Sequence, residues 1–241
     1  MGFLYSSNDK EIYAIRRKIF TEKGLPLLFN IGFEKSPFSG ACFGRYNNQL
    51  HSYDLCRLTE DSMLQKITVH ISRSDRWIQI SLNIFQLDKT INSLLQLNSV
   101  DGIKYSLPPN SISNMQLNVD DFKGIPLLNY DFMFRSHKLA HFWTKRGFEK
   151  SLRKLEFRIV EDLSNFEKYI DRWHKMYNPL NTTIEGNIIG FEKMTINERL
   201  EATRLTKRFN DTKYKNNAEA MYILKWLDVD DLTIQNILGL K

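Results

Sequence analysis

The clearest pattern in the chain is a pair of alternating segments. Ile67, Val69 and Ile71 are separated by Thr68 and His70, and Ile78, Ile80, Leu82 and Ile84 by Gln79, Ser81 and Asn83. A period of two puts every apolar side chain on one face of an extended strand. Joined by Arg73-Ser74-Asp75-Arg76, the two segments predict an antiparallel hairpin with one buried face. Upstream, Pro37, Gly40 and Asn47-Asn48 supply turn chemistry between three shorter segments, 25–34, 41–46 and 49–58, each read as a strand. Before them, Ile12, Ile15, Ile19 and Phe20 recur at helical spacing, with Ser7 or Asp9 as a cap and Gly24 with Pro26 as a stop.

Beyond Leu87 the pattern predicts a short helix over 90–97 and then a loop-rich stretch containing Asp101-Gly102, Pro108-Pro109 and 110–114. That stretch is the best boundary between a sheet part, 1–110, and a strand-and-helix part, 111–241; one continuous domain is the other arrangement. Tyr130, Phe132 and Phe134 alternate like a strand, 136–146 reads as a helix closed by Gly147, and Leu155, Phe157 and Ile159 alternate again. From Asp162 onward the period is helical. Ser164 with Glu167 and Thr195 with Glu198 have the spacing of capping boxes. Phe166, Ile170, Trp173 and Tyr177 make a core stripe, Ile196, Leu200, Leu205 and Phe209 a looser one, and helices over 218–227 and 230–238 finish the chain. Helix, strands and then mostly helices define an α+β protein rather than a doubly wound nucleotide-binding fold.

Composition narrows the function. The 241 residues are 42% hydrophobic and 26% charged, which is enough apolar material for a core. The opening Met1 to Lys10 carries charge at once, unlike a signal peptide, and the most apolar run, 63–87, is broken by Lys66, His70, Arg73, Asp75 and Arg76. A soluble, cytoplasmic protein is expected. Cys42 and Cys56 are the only cysteines, so two reduced thiols are expected and neither a disulfide framework nor a CxxC site.

Few residues point to catalysis. There is no GxSxG elbow, no glycine-rich phosphate loop and no Cys beside a His. Of five histidines, His137 and His141 alone have ligand-like spacing. Lys138 stands where a zincin places its glutamate, so both are read as solvent-facing or interface histidines opposite Leu139, and no metal and no cofactor is expected. The acidic pairs Glu60-Asp61, Asp120-Asp121, Glu161-Asp162 and Asp230-Asp231 fall where helix starts or turns want them. An enzyme with a spatially assembled site is the third functional alternative.

Charge is more informative. Lys and Arg number 34 against 28 Asp and Glu, a net +6. Between 131 and 160 stand eight cations (Arg135, Lys138, Lys145, Arg146, Lys150, Arg153, Lys154 and Arg158) against three acids, so this one segment holds most of the excess. Phe142, Trp143, Phe148 and Phe157 are interleaved. Charge for a phosphate backbone and rings for stacking would suit a nucleic acid, whereas aromatics turned into the core would leave a solvated cationic face. The last helix begins with Asp230-Asp231 and would be repelled by DNA; its Leu232, Ile234, Ile237, Leu238 and Leu240 suit packing or self-association.

Gly32-Phe-Glu-Lys-Ser36 recurs as Gly147-Phe-Glu-Lys-Ser151, and Gly190-Phe-Glu-Lys193 repeats four of the residues; chance or a shared turn geometry accounts for the echo better than duplication. With the helix before it and the strands after it, the Gly32-Phe33 segment over 11–87 resembles bacterial domains of unknown function found among polymorphic-toxin immunity proteins. The resemblance implies a protein that blocks a toxin by binding it. The first functional expectation is accordingly a non-enzymatic, immunity-like binding protein masking a macromolecular partner. The second is a nucleic-acid-binding protein using Arg146, Lys150, Arg153, Lys154 and Arg158, with Trp143, His137 and His141 beside them.

Overall fold

The computed structural model describes residues 8–117, 137–139 and 142–240. Its strands are β1 (Glu34–Lys35), β2 (Phe43–Arg45), β3 (Leu50–Leu58), β4 (Met63–Ser72), β5 (Gln79–Leu87), β6 (Met115–Gln116) and β7 (Leu180–Thr182). The predicted hairpin is β4 and β5, antiparallel, with Ile67 opposite Leu82 and Val69 opposite Ile80. β3 pairs on the other side of β4, setting Tyr53 against Val69 and Leu55 against Ile67. The four short strands finish the two edges: β1 and β2 lie end to end along β3, and β6 and β7 along β5. Among the described strands, β7 alone runs parallel to its neighbour. Keeping edge strands this short limits the open ladder available to another chain.

One face of the sheet carries the main core. Leu55, Ile67, Val69, Ile71, Ile80, Leu82 and Ile84 are all buried there beneath helices that precede the strands β1–β6 in sequence and helices that follow them. The first is α1 (Asp9–Ile19), capped by the Asn8 side chain on the Glu11 amide. It does not stop at Gly24 and Pro26. A π turn, Phe20–Gly24, carries it into α2 (Leu25–Asn30), because Pro26 occupies the first turn of α2, where no amide hydrogen is needed. The strand expected over 25–34 is therefore helix for most of its length. Gly32, at φ +89°, makes the turn that leads to buried Phe33 and β1.

The other helices on this face are α3 (Lys145–Ser164) and α4 (Glu167–Met176). Both alter the sequence reading. Leu155, Phe157 and Ile159 are not a strand; they lie within α3, where Phe148, Leu155 and Ile159 follow helical spacing into the core and Phe157 points away. Gly147 opens this helix instead of closing an earlier one, its amide bonded to the Thr144 side chain. Because α3 runs on through Ser164, no capping box forms there, and Phe166, at the N-cap position of α4, gives it no side-chain cap. The stripe of Phe166, Ile170, Trp173 and Tyr177 is buried as expected, and the Trp173 indole donates to the Ser113 carbonyl at 2.7 Å.

The opposite face of the sheet divides. At one end Cys56, Leu64, Phe85 and Leu87 are buried under Phe38, Ile91, Leu97 and Tyr105, so the hairpin has more than the one covered face its alternation implied. The 90–97 helix is a single 3₁₀ turn, Leu94–Leu97, and further 3₁₀ turns occupy Ile103–Ser106 and Asn110–Ser113. The C-terminal helices α5 (Ile196–Ala202), α6 (Thr206–Thr212), α7 (Asn217–Trp226) and α8 (Asp231–Leu238) enclose a separate cluster around Leu200, Leu205, Phe209, Leu224 and Ile234. The looser stripe thus spans two short helices; the Thr195 capping box is present in full, and Asp230 caps α8. Ile234, Ile237 and Leu238 pack into this cluster, leaving Leu232 exposed.

The three Gly-Phe-Glu-Lys copies take three conformations: a turn into β1, the first turn of α3, and a left-handed glycine before a 3₁₀ turn. Gly32 and Gly190 share a positive φ, +89° and +73°, but the segments that follow them differ, and Gly147 is helical. No helix among the described residues is long and apolar enough to cross a membrane.

Candidate binding surfaces

The basic segment folds as the outer face of α3. A helix turns 100° per residue, so Arg146, Lys150, Arg153 and Phe157, spaced by three and four, share one ridge, with Lys154 at its flank. The buried residues Phe148, Leu155 and Ile159 lie on the opposite side of the helix. All five ridge residues are exposed, and none of the four cations is ion-paired among the described residues. Phe157, one turn beyond Arg153 and Lys154, is 64% exposed at the C-terminal end of the ridge, and Trp143, just ahead of the helix, is 73% exposed. The expected division of aromatics inside and cations outside holds for Phe148 and fails for Trp143 and Phe157. Arg158 is half-buried at the edge of the ridge and belongs to it less than the other cations do.

His137 is not on this surface. It sits in a short segment where Lys138 bridges to Trp77, and it is buried beside buried Leu139, contrary to the solvent-facing helix expected. Its Nε2 lies 2.8 Å from Asp162 Oδ2. Asp162 also accepts from the Tyr169 hydroxyl at 2.6 Å and from Lys168 at 3.4 Å. Asp162 is therefore no helix cap but the centre of a buried polar cluster, which a pair of adjacent acids in the sequence did not reveal. His141, the Asp120-Asp121 pair and the strand expected at Tyr130, Phe132 and Phe134 lie outside the described residues.

A cavity of about 520 Å³ opens on the polar half of the second sheet face. Strand alternation fills it with what the core rejects: Asp54, Lys66, Thr68, His70, Ser81 and Asn83 all point into it. Asp54 is held by the Thr68 hydroxyl at 2.8 Å and the Cys42 amide at 2.9 Å, and Lys66 donates to Ser106 at 2.6 Å. Burial pushes the His70 imidazole down, against the pull of Asp54 and with the help of Lys66, so the ring is neutral at physiological pH. Cys42 also reaches this cavity, but its thiol contacts the Gly44 carbonyl, and β3 separates it from the strand that bears His70. The second thiol, Cys56, lies in the core with its pKa pushed up to about 12 by burial. Among the described residues no group of three His, Cys, Asp or Glu side chains could hold a metal ion.

These features define an α+β protein whose most distinctive surface is a cationic helix ridge studded with exposed rings. Comparison with known protein families, curated proteins and solved structures finds no match.

Proposed function

We propose that this chain is a non-enzymatic, immunity-like binding protein that masks an acidic surface of a protein partner with the outer face of α3. The observation that carries the reading is Phe157, a large ring 64% exposed at the end of a row of four cations that have no ion pair among the described residues. Arginine and aromatic side chains are the groups on which interface energy concentrates, and an apolar anchor flanked by charge provides both desolvation and a steering field. An acidic partner complements this charge. A second reading, single-stranded nucleic acid, is favoured by the exposure of Trp143 as well, because two rings among cations suit base stacking.

A photo-crosslinking amino acid at position 157, activated in the source cells, tests both. The expected result is one discrete protein adduct, lost when Arg146, Lys150, Arg153 and Lys154 are changed together to Glu. A nucleic-acid adduct, with affinity for oligonucleotides falling steeply as salt rises, would move the assignment to the second reading. Absence of any adduct that depends on the four cations would overturn the ridge as a binding surface.

A further inference from the structure

We infer that the cleft between α1 and the β2–β3 hairpin is a binding site for a small molecule bearing a phosphate monoester. Its cavity, about 630 Å³, is lined by Lys10, Tyr13 and Arg17 from α1, by Arg45 and His51 from the hairpin, and by Arg73 from the β4–β5 turn, and its lining contains no carboxylate. None of the four cations is ion-paired among the described residues. The adjacent Arg16 shows the contrast. Buried completely, it is neutralised by Asp75 at 3.0 Å and donates to the Ser72 and Trp77 carbonyls. The fold thus provides a partner for the arginine that serves the core and leaves four cations from three separate elements facing one space. Their mutual repulsion does nothing for stability and is relieved by an anion.

The polar centre of the cleft is also organised. His51 is 8% exposed; its Nδ1 meets the Tyr13 hydroxyl, and its Nε2 lies 3.4 Å from Arg17 Nη1. Arg17 can only donate, so Nε2 must be the unprotonated nitrogen. Burial, Arg17 and Arg45 all hold the imidazole below its ordinary pKa, so it is neutral and carries its proton on Nδ1. That proton is donated to the Tyr13 oxygen, which frees the Tyr13 hydroxyl hydrogen to point at a ligand. The cleft therefore offers the guanidiniums of Arg17 and Arg73, the donors left to Arg45 after its bonds to the Asn47 carbonyl and the Asn48 side chain, an ammonium and an oriented phenol.

A phosphate monoester matches this set better than a carboxylate or a diester does. It carries close to two negative charges at neutral pH and three terminal acceptor oxygens. The volume lies within the range of small-ligand sites and leaves room beyond the phosphate for the group it esterifies, against the rings of Tyr13 and His51.

The site is independent of the α3 ridge, and the test uses the full chain. Calorimetric titration is run with inorganic phosphate, adenosine 5′-monophosphate, glucose 6-phosphate, acetate and a phosphoserine peptide. The expected result is saturable binding of at least one free monoester, tighter than phosphate and absent for acetate. R17Q and R45Q, at exposed positions, should each raise its Kd about tenfold or more, the equivalent of one charged hydrogen bond. Y13F should raise Kd less, and the α3 quadruple charge reversal should leave it unchanged. Equal affinity for acetate, indifference to R17Q and R45Q, or no binding at all would overturn the site; binding of the phosphoserine peptide alone would overturn its assignment to a small molecule.

Discussion

His137 Nε2 and Asp162 Oδ2 lie 2.8 Å apart, both side chains almost completely buried, across 25 positions of sequence. The pair ties the segment leading into α3 to the last turn of that helix, and Tyr169 on α4 completes the attachment. A carboxylate so buried needs all of its donors.

Removing His137 leaves that carboxylate short of a donor. H137A should lower the unfolding free energy by about 3 kcal/mol, as loss of one partner of a buried pair does, measured by urea denaturation. Burial pushes the Asp162 carboxyl up, but hydrogen bonds from His137 and Tyr169, with the electrostatic pull of His137 and Lys168, overcome it and hold the group below its ordinary value. A carboxyl lowered on folding contributes stability above its unfolded pKa of about 4, and that contribution disappears as pH falls through the native value. D162N should therefore be less stable than the natural protein at pH 7 and lose less on acidification below about pH 4.

Phe157 and Phe148 share a helix and have opposite environments, 64% and 5% exposed. F157S should change stability by no more than about 0.5 kcal/mol while abolishing the α3-dependent crosslink. F148A should cost about 3 kcal/mol or more, through loss of burial and the cavity left behind. Thermal melts of the two variants distinguish an interface ring from a core ring.

The two thiols should differ in reactivity. Burial raises Cys56 to a pKa of about 12, so almost none of it is thiolate at pH 8, whereas Cys42 is partly exposed at the cavity. Titration of the native protein with a thiol reagent should modify Cys42 first, with Cys56 reacting only on unfolding. C42S should abolish the fast phase.

Gly24 lies in close contact with α3. An added Cβ would stand 2.9 Å from Phe20, 3.0 Å from Leu163 and 3.1 Å from Ile159. Alanine favours a helix by about 1 kcal/mol, but overpacking costs about 1 to 3 kcal/mol, so G24A should be neutral to mildly destabilising and G24L severely so. Circular dichroism melts of both variants would show the order.

The hairpin, the capping boxes and the sites of attachment follow different rules, and so did their legibility. β4 and β5 were plain because alternation of Ile and Val with polar residues has one extended solution, and the Thr195 box was plain because its partners are three residues apart. Leu155, Phe157 and Ile159 mislead because three positions cannot separate a period of two from a helix whose outer face holds an exposed ring. Ser164 misled because its capping spacing is overridden when α3 has core left to cover as far as Leu163.

The cationic ridge lies between these cases. Its charge is legible in the sequence, and the alignment of Arg146, Lys150, Arg153 and Phe157 on one ridge depends on the helical period of α3. Asp162, the sheet cavity and the cationic cleft had no local signature at all. His137 meets Asp162 across 25 residues, and Arg17 meets His51 across 34. What the sequence determined by itself was what neighbouring residues decide: the α+β class, the central hairpin, the caps at Thr195 and Asp230 and the location of the charge. The tertiary structure decided which polar groups are buried together and which cations are left unpaired, because those energies depend on distances through space that chain separation does not constrain.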